Sequence, residues 1–444
     1  MEHSRNARTS LMPHRSLVLV SSLLLASTQD AQGYALVDLG AFHDFVSSAR
    51  GINANGLVVG YERDALGFER AWVWENGTRV ELPVLGGFEG RAFAINEARQ
   101  IAGWAENESF DTRAVIWQAN VPLDLGTLGG DDSRAFDINE SGQVVGWASL
   151  TPGGIHHAFR YDGGGLVDLG ALGGAYSRAE AINDAGVVVG SYDLGFDERA
   201  FVHDGLEASA LDSTLNVSES WAYGIDPAGA IVGAISRAGL GCCVPTFWGL
   251  EGELSLPTNS TVNNRPFAIN ESGAIVGEGG GRALLWTETS VQDLNELLPV
   301  GSDWFLTEAR DVNEFGQIVG IGTRAGEPHG FLLSPKPFLE VTDTAVPGSS
   351  LDVRLEGLEG QCYCLAVAPG TGEHAWPGWS VALGPSLSSL VVLASGELEA
   401  QGVLELVVPT TAQGSLVGED VYWQAFTLDG STIRSSNRQQ TLFE

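Results

Sequence analysis

The 444-residue sequence is almost without lysine: Lys336 stands alone, and all basic residues together number 23 against 56 acids. A phosphate backbone or an anionic membrane surface is a poor partner for such a chain, so nucleic acid is excluded as a ligand. Cysteine is nearly as scarce, with Cys242, Cys243, Cys362 and Cys364 the whole set. A CC pair and a CxC pair lack the usual spacing of a zinc site. Structural disulfides are therefore expected over a four-thiolate metal centre, and the pairing stays open. Long apolar runs are missing beyond the first thirty residues, and none approaches the ~18 residues that a membrane span requires. HExxH, GxSxG, Walker and EF-hand patterns are absent too, and no catalytic residue is assigned.

What is present begins with an export signal. Arg5, Arg8 and Arg15 precede the apolar run LVLVSSLLLAS (17–27), and polar TQDAQG follows, so residues 1–31 read as a signal peptide. MPHRSLVLVSSLLLAS is a complete short signal by itself, which leaves Met1 and Met12 as alternative starts. The mature chain is expected outside the cell or on its surface. Losing two acids and three arginines, it keeps 54 acids and 20 bases, a net charge of −34. Such acidity suits a soluble, saline-tolerant surface.

One phrase, SRAFDINESGQVVGW (133–147), recurs seven times. Its turn anchors are Asn53, Asn96, Asn139, Asn183, Asp226, Asn270 and Asn313, separated by 43, 43, 44, 43, 44 and 43 residues. That period holds four short strands. In the third unit they are RAFDIN, QVVGW, HAFRYD and LVDLGAL, rich in β-branched and aromatic residues and bounded by Gly, Asn or Asp. The NESG turn pairs a capping Asn with a Gly able to adopt the left-handed conformation, and Arg99 takes that Gly's place in the second unit. Simple alternation sends Phe136 and Ile138 to one face and Ala135, Asp137 and Asn139 to the other. A large face against a small one lets twisted sheets stack around an axis.

The seventh unit lacks its last strand, while YALVDLGAF (34–42) precedes the first unit without a sheet of its own. The expected fold is all-β: a seven-bladed β-propeller over 32–335, closed by the N-terminal strand, then a C-terminal β-sandwich over 336–444. DLGTLGGDDSRAFDINESGQVVGW (124–147) and HHAFRYDGGGLVDLGALGG (156–174) resemble the bacterial HAF repeat, named for the tripeptide found here as His157-Ala158-Phe159. The resemblance covers about 34–335. It implies a secreted, propeller-like protein and transfers no catalytic residue. The segment with VYWQAF (421–426) is similar to modules appended to exported bacterial proteins, which adhere or space.

In a ring, one repeat position recurs around the axis. Arg91, Arg134, Arg178 and Arg265 open the first strand of their units, and Tyr61, Trp104 and Trp147 follow the second strand at the same rim. The arginines either pair with carboxylates such as Asp124 and Asp168 or form a collar for carboxylate or sulfate groups of a glycan. The aromatics either close the blade ends or stack on sugar rings. Arg91, Arg134, Arg178, Arg265, Trp104 and Trp147 are thus the candidate ligand-binding residues, with Trp104 and Trp147 expected to be exposed. At the opposite rim Glu97, Glu140, Asp184, Glu271 and Glu314 are solvated turn tips, or a weak calcium site, the one cofactor considered. His156-His157 is a poor metal pair, because neighbours on a strand diverge. The functional expectation is a monomeric binding or adhesion protein for a glycan or an envelope component. Its alternatives are a propeller glycoside hydrolase or polysaccharide lyase, and a purely structural spacer.

Overall fold

The computed structural model describes the chain from Tyr34 to Pro335, except 41–46, 76, 196, 212–216, 238–240, 250–251, 259–263 and 299–300. Beyond Pro335 it describes the backbone of strands between Phe338 and Phe443. The expected signal peptide lies outside the described residues, as do the side chains of Cys242, Cys362 and Cys364.

Each NESG-type turn does what its residues dictate. In the third unit the Gly142 N–H donates to Asn139 O at 3.0 Å, and Gly142 has φ +75°. That tight turn returns the chain as an antiparallel neighbour, so Ser133–Ile138 pairs with Val144–Ser149. His156–Tyr161 and Leu166–Gly170 add two more antiparallel strands. Seven such four-stranded sheets form, one per unit, making a seven-bladed β-propeller with no α-helix among the described residues.

Blades stack large on small. Ala49, Ala92, Ala135, Ala179, Ala222 and Ala309 are fully buried, as are Trp117, Trp286, Phe159, Phe201 and Phe331. One cluster joins Val59, Val73 and Leu82 of the first blade to Ala92, Ile101 and Trp117 of the second. Each large side chain so buried contributes about 2–3 kcal/mol.

Simple alternation fails in the innermost strand. Every blade has a β-bulge there, between Ala135 and Asp137 in the third and at the matching place in the other six. The extra residue turns Phe136 and Asp137 the same general way, toward the axis, instead of to opposite faces. It also pushes a carbonyl into the second strand: a Cβ on Gly146 would lie 1.9 Å from Arg134 O. Gly60, Gly103, Gly190, Gly233, Gly277 and Gly320 stand in the same position, at 1.9–2.0 Å from the matching carbonyl.

The turn anchors join the blades. Asn53 Nδ2 donates to Asn96 O at 3.1 Å, Asn96 to Asn139 O, Asn139 to Asn183 O, and Asn183 to Asp226 O. Asn270 donates to Asn313 O, and Asn313 donates to Asn53 O at 3.0 Å, so the series returns to its beginning. Meanwhile each anchor's Oδ1 accepts an N–H of its own turn, as Asn139 does from Gln143. Asp226 has no amide to give, and the link to Asn270 is missing.

Tyr34–Asp38 pairs antiparallel with Glu327–Pro335 of the seventh blade, from Tyr34 opposite Pro335 to Asp38 opposite Phe331. Asp38 accepts from Arg324 at 2.6 Å and lies 3.0 Å from His329 Nδ1. Arg79 of the first blade donates to Leu39 O and Gly40 O and pairs with Glu62. Past Pro335, Phe338–Val341, Ser350–Glu356 and Val403–Pro409 form one sheet, and Cys362–Pro369 and Asp420–Asp429 lie in another.

Candidate functional site

The bulged strands bring their opening residues together at one end of the axis. Arg91, Arg134 and Arg178 stand there with Arg265, each opposite a residue of its blade's second strand: Trp104, Trp147, Ser191 and Glu278 respectively. Two residues further along come Arg50, Phe93, Phe136, Glu180, Tyr223, Phe267 and Arg310, one per blade. Together these two tiers line a vestibule of guanidinium groups, rings and carboxylates. Phe93 meets Tyr61 and Phe136 edge-on at 6.4 and 5.5 Å, and Tyr223 meets Phe267 at 5.8 Å.

The arginines do not use Asp124 or Asp168 as partners. Asp168 takes His157 Nδ1 at 2.9 Å, and both aspartates accept an N–H two residues on, forming the DLG turns. The partners are other acids: for Arg91 and Arg265 they lie on a neighbouring strand, and for Arg178 and Arg310 they lie two residues away on the same strand. Arg91 pairs with Glu69 and lies 4.3 Å from the Tyr61 ring centre. Burial would raise the Glu69 carboxyl, but Arg91 and Arg63 outweigh it and hold it below the usual range. Arg178 Nε lies 2.6 Å from Glu180 Oε1, off the direction of a good hydrogen bond. Arg265 lies 3.6 Å from Glu278 and also bonds the buried Cys243 side chain. Arg310 pairs with Glu308; burial and the Arg50 charge lower its guanidinium to about 10.

Arg134 differs from all of these. Its guanidinium lies 5.1 Å from the Trp104 ring and 5.5 Å from Trp147, and no carboxylate pairs with it among the described residues. Its Nε is buried without an acceptor, as are those of Arg178, Arg265 and Arg310, but it has no carboxylate paired with it. Burial, then the charge of Arg91, pulls its pKa down. A half-buried cation between two indoles, repelled by a neighbouring cation, is a ready seat for an anion.

The two tryptophans are not equally exposed, contrary to expectation. Trp104 is 4% exposed and packs as part of its blade, whereas Trp147 is half-buried and meets the His156 ring at 4.7 Å. His156 and His157 diverge: one stacks, the other pairs with Asp168. At the opposite rim the acids are staples. Glu97 accepts the Ala54 N–H, Glu140 that of Glu97 at 3.0 Å, and Asp184 that of Glu140 at 2.9 Å. No group of three ligating side chains is arranged for a metal ion among the described residues.

Arg50, Glu180, Tyr223 and Arg310 escaped the sequence reading. A signal was available: at this repeat position three blades carry Phe and these four do not. Burial raises the carboxyls of Glu180 and Glu278, and it raises the Tyr223 hydroxyl.

No protein-family model matches the chain, and no curated protein is similar to it. Among solved structures, Trypanosoma rangeli sialidase in complex with the inhibitor DANA aligns over 92% of this chain and 90% of its own, at 11% identity and TM-score 0.36. The sporulation control protein Spo0M from Bacillus subtilis aligns over 24% of this chain and 49% of its own, at 10% identity and TM-score 0.16. The N-terminal domain of the Streptococcus gordonii adhesin Sgo0707 aligns over 94% of both chains, at 8% identity and TM-score 0.15. Likenesses this distant do not bear on activity.

Proposed function

We propose that this is an exported binding protein of the HAF-repeat type, which holds an acidic glycan or a similar envelope component in the axial vestibule. The observation that carries the reading is Arg134, a guanidinium between two indoles with no carboxylate of its own. A carboxylate or sulfate would satisfy it, and the Trp147 ring offers a face to the sugar that bears the acid. Arg91, Arg178 and Arg265 shape the collar, each partly neutralised by its own acid. In this reading the N-terminal strand locks the ring, and residues 336–444 form a β-sandwich that adheres or spaces. Deleting 32–42 should leave an open strand edge, seen as aggregation in sedimentation; a monomer of unchanged melting temperature would refute the lock.

The test is a glycan array on the mature protein, followed by titration of each hit. Arg134→Ala should weaken an acidic hit about ten- to hundredfold at unchanged melting temperature. Unchanged affinity would show that the ligand sits elsewhere, and an empty array would favour a spacer. A second reading, a glycoside hydrolase or polysaccharide lyase, draws on Glu180 and Glu278, whose raised carboxyls suit a proton donor. The raised Tyr223 hydroxyl makes a poor lyase base, which favours binding over elimination. Reducing ends or unsaturated products released from an array hit would establish the enzyme.

A further inference from the structure

Aromatic side chains leave the vestibule in a row. Trp147, beside Arg134, meets His156 at 4.7 Å between ring centres, and His156 meets Tyr176 at 4.9 Å. Exposure rises outward: Trp147 and His156 are half-buried and Tyr176 is 42% exposed. The three come from different segments. Trp147 lies in a second strand, His156 opens a third strand, and Tyr176 precedes the first strand of the next blade. The Tyr176 backbone is held by Asp193, which accepts its N–H and that of Ala175. His157, the neighbour of His156, is turned away and fixed by Asp168. The row is therefore built on supported backbone, with ring faces tilted by 43° and 54° to one another.

Resting on the vestibule reading, we propose that the ligand is a glycan chain rather than a single sugar. Its acidic residue sits at Arg134 and Trp147, and the following sugars run outward over His156 and Tyr176. Rings with polar tips suit this occupant, because each sugar presents an apolar C–H face for stacking and hydroxyls for the Tyr and His edges. A basic peptide would meet Arg134 and Arg178 at the inner end and be repelled. A second aromatic row exists, Phe68, Phe88 and Phe110, with centres 5.2 and 5.6 Å apart. The cation beside that row, Arg70, lies 5.8 Å from the Phe68 ring and is paired with Asp64 at 2.9 Å, so the row has no uncompensated charge to start from.

Galacturonic acid and a long linear oligomer of it are the probes, titrated by calorimetry against the mature full chain. Wild type should bind the oligomer at least about tenfold more tightly than the monomer. His156→Ala/Tyr176→Ala should erase that difference while leaving the monomer's affinity and the melting temperature unchanged, and His156→Phe should retain it. Arg134→Ala should weaken both probes. If Arg134→Ala weakens both but the row variants change nothing, the track is wrong and the vestibule reading survives. If neither probe binds wild type, or Arg134→Ala has no effect, both fail. Loss of the oligomer's advantage in Phe88→Ala/Phe110→Gly instead would place the chain over the first two blades and overturn the track. A dimer that Tyr176→Ala dissociates in sedimentation would show a self-interface, and would overturn it too.

Discussion

A single atom separates Asp226 from the six other turn anchors. Their Nδ2 amides bridge to the next blade, and a carboxylate oxygen in that place has no proton to donate. Asp226 is buried, at 7% exposed, and its Oδ1 already accepts the Ala230 N–H. Asp226→Asn should complete the seventh link to Asn270 and raise stability by about 1 kcal/mol, read as a higher denaturant midpoint at unchanged slope. A lower midpoint would mean that the carboxylate is required by its own turn. Arg99 makes the opposite point. It holds φ +60° where the other turns use Gly, as its place in the repeat predicts, and this strain costs about 1 kcal/mol. Yet its guanidinium pairs with Glu75 at 2.9 Å on the surface, which the sequence does not announce. Arg99→Gly should therefore be near neutral in the wild type and stabilising by a few tenths of a kcal/mol in a Glu75→Gln background. Chemical denaturation of the four proteins of that cycle decides it.

The inner hairpin is the element on which the rest depends. Its bulge and its VVG glycine are one device: the extra residue tips a carbonyl inward, and only a residue without Cβ lets the second strand pass. Gly146→Ala would place a methyl 1.9 Å from Arg134 O, a clash with backbone that no side-chain rotation relieves. A loss of about 2–4 kcal/mol is expected in thermal or urea unfolding. The same change at Gly163, which has nothing within 4 Å but sits at φ +88°, should cost about 1 kcal/mol. Equal losses at both sites would remove the steric account. By aiming neighbouring residues toward the axis, the bulge also builds the vestibule from one repeat position after another.

Across the whole molecule, the bulge sets two carboxyls against each other. Asp137 accepts the Ile182 N–H of the next blade, and Asp311 accepts that of Ile52 across the junction of the seventh and first blades. Each also accepts the N–H of its own following residue. Burial raises Asp137 to about 7, with the charges of Asp311 and Asp184 adding to it, and burial raises Asp311 to about 6. The folded pKa values exceed the unfolded ones, so the folded state holds the extra protons. Their stabilisation is complete below about pH 4 and is lost as pH rises through 6 to 7. Asp137→Asn/Asp311→Asn should remove about 4 kcal/mol of this pH dependence between pH 5 and 8, followed by melting temperature. A wild-type slope that survives the double substitution would assign it to other groups.

Read alone, the sequence determined how many units there are, how long each is and where each turns. A period of 43–44 residues with one anchor per unit leaves little else for the backbone to do. It also placed Arg91, Arg134, Arg178 and Arg265 at one rim, because a repeat position maps onto a ring. What it could not supply was partnership. The bulge breaks the two-residue alternation, so which side chains face the axis followed from hydrogen-bond register rather than from pattern. The acids that neutralise three of the four arginines, Glu69, Glu180 and Glu278, belong to different strands and repeat positions. Glu180 stands two residues along Arg178's own strand and Glu278 faces Arg265 across its hairpin, whereas blade stacking brings Glu69 of the first blade to Arg91 of the second. Which of these neighbours closes on a guanidinium, and that none does on Arg134, is set by distances in space, which the order of residues along a strand does not encode.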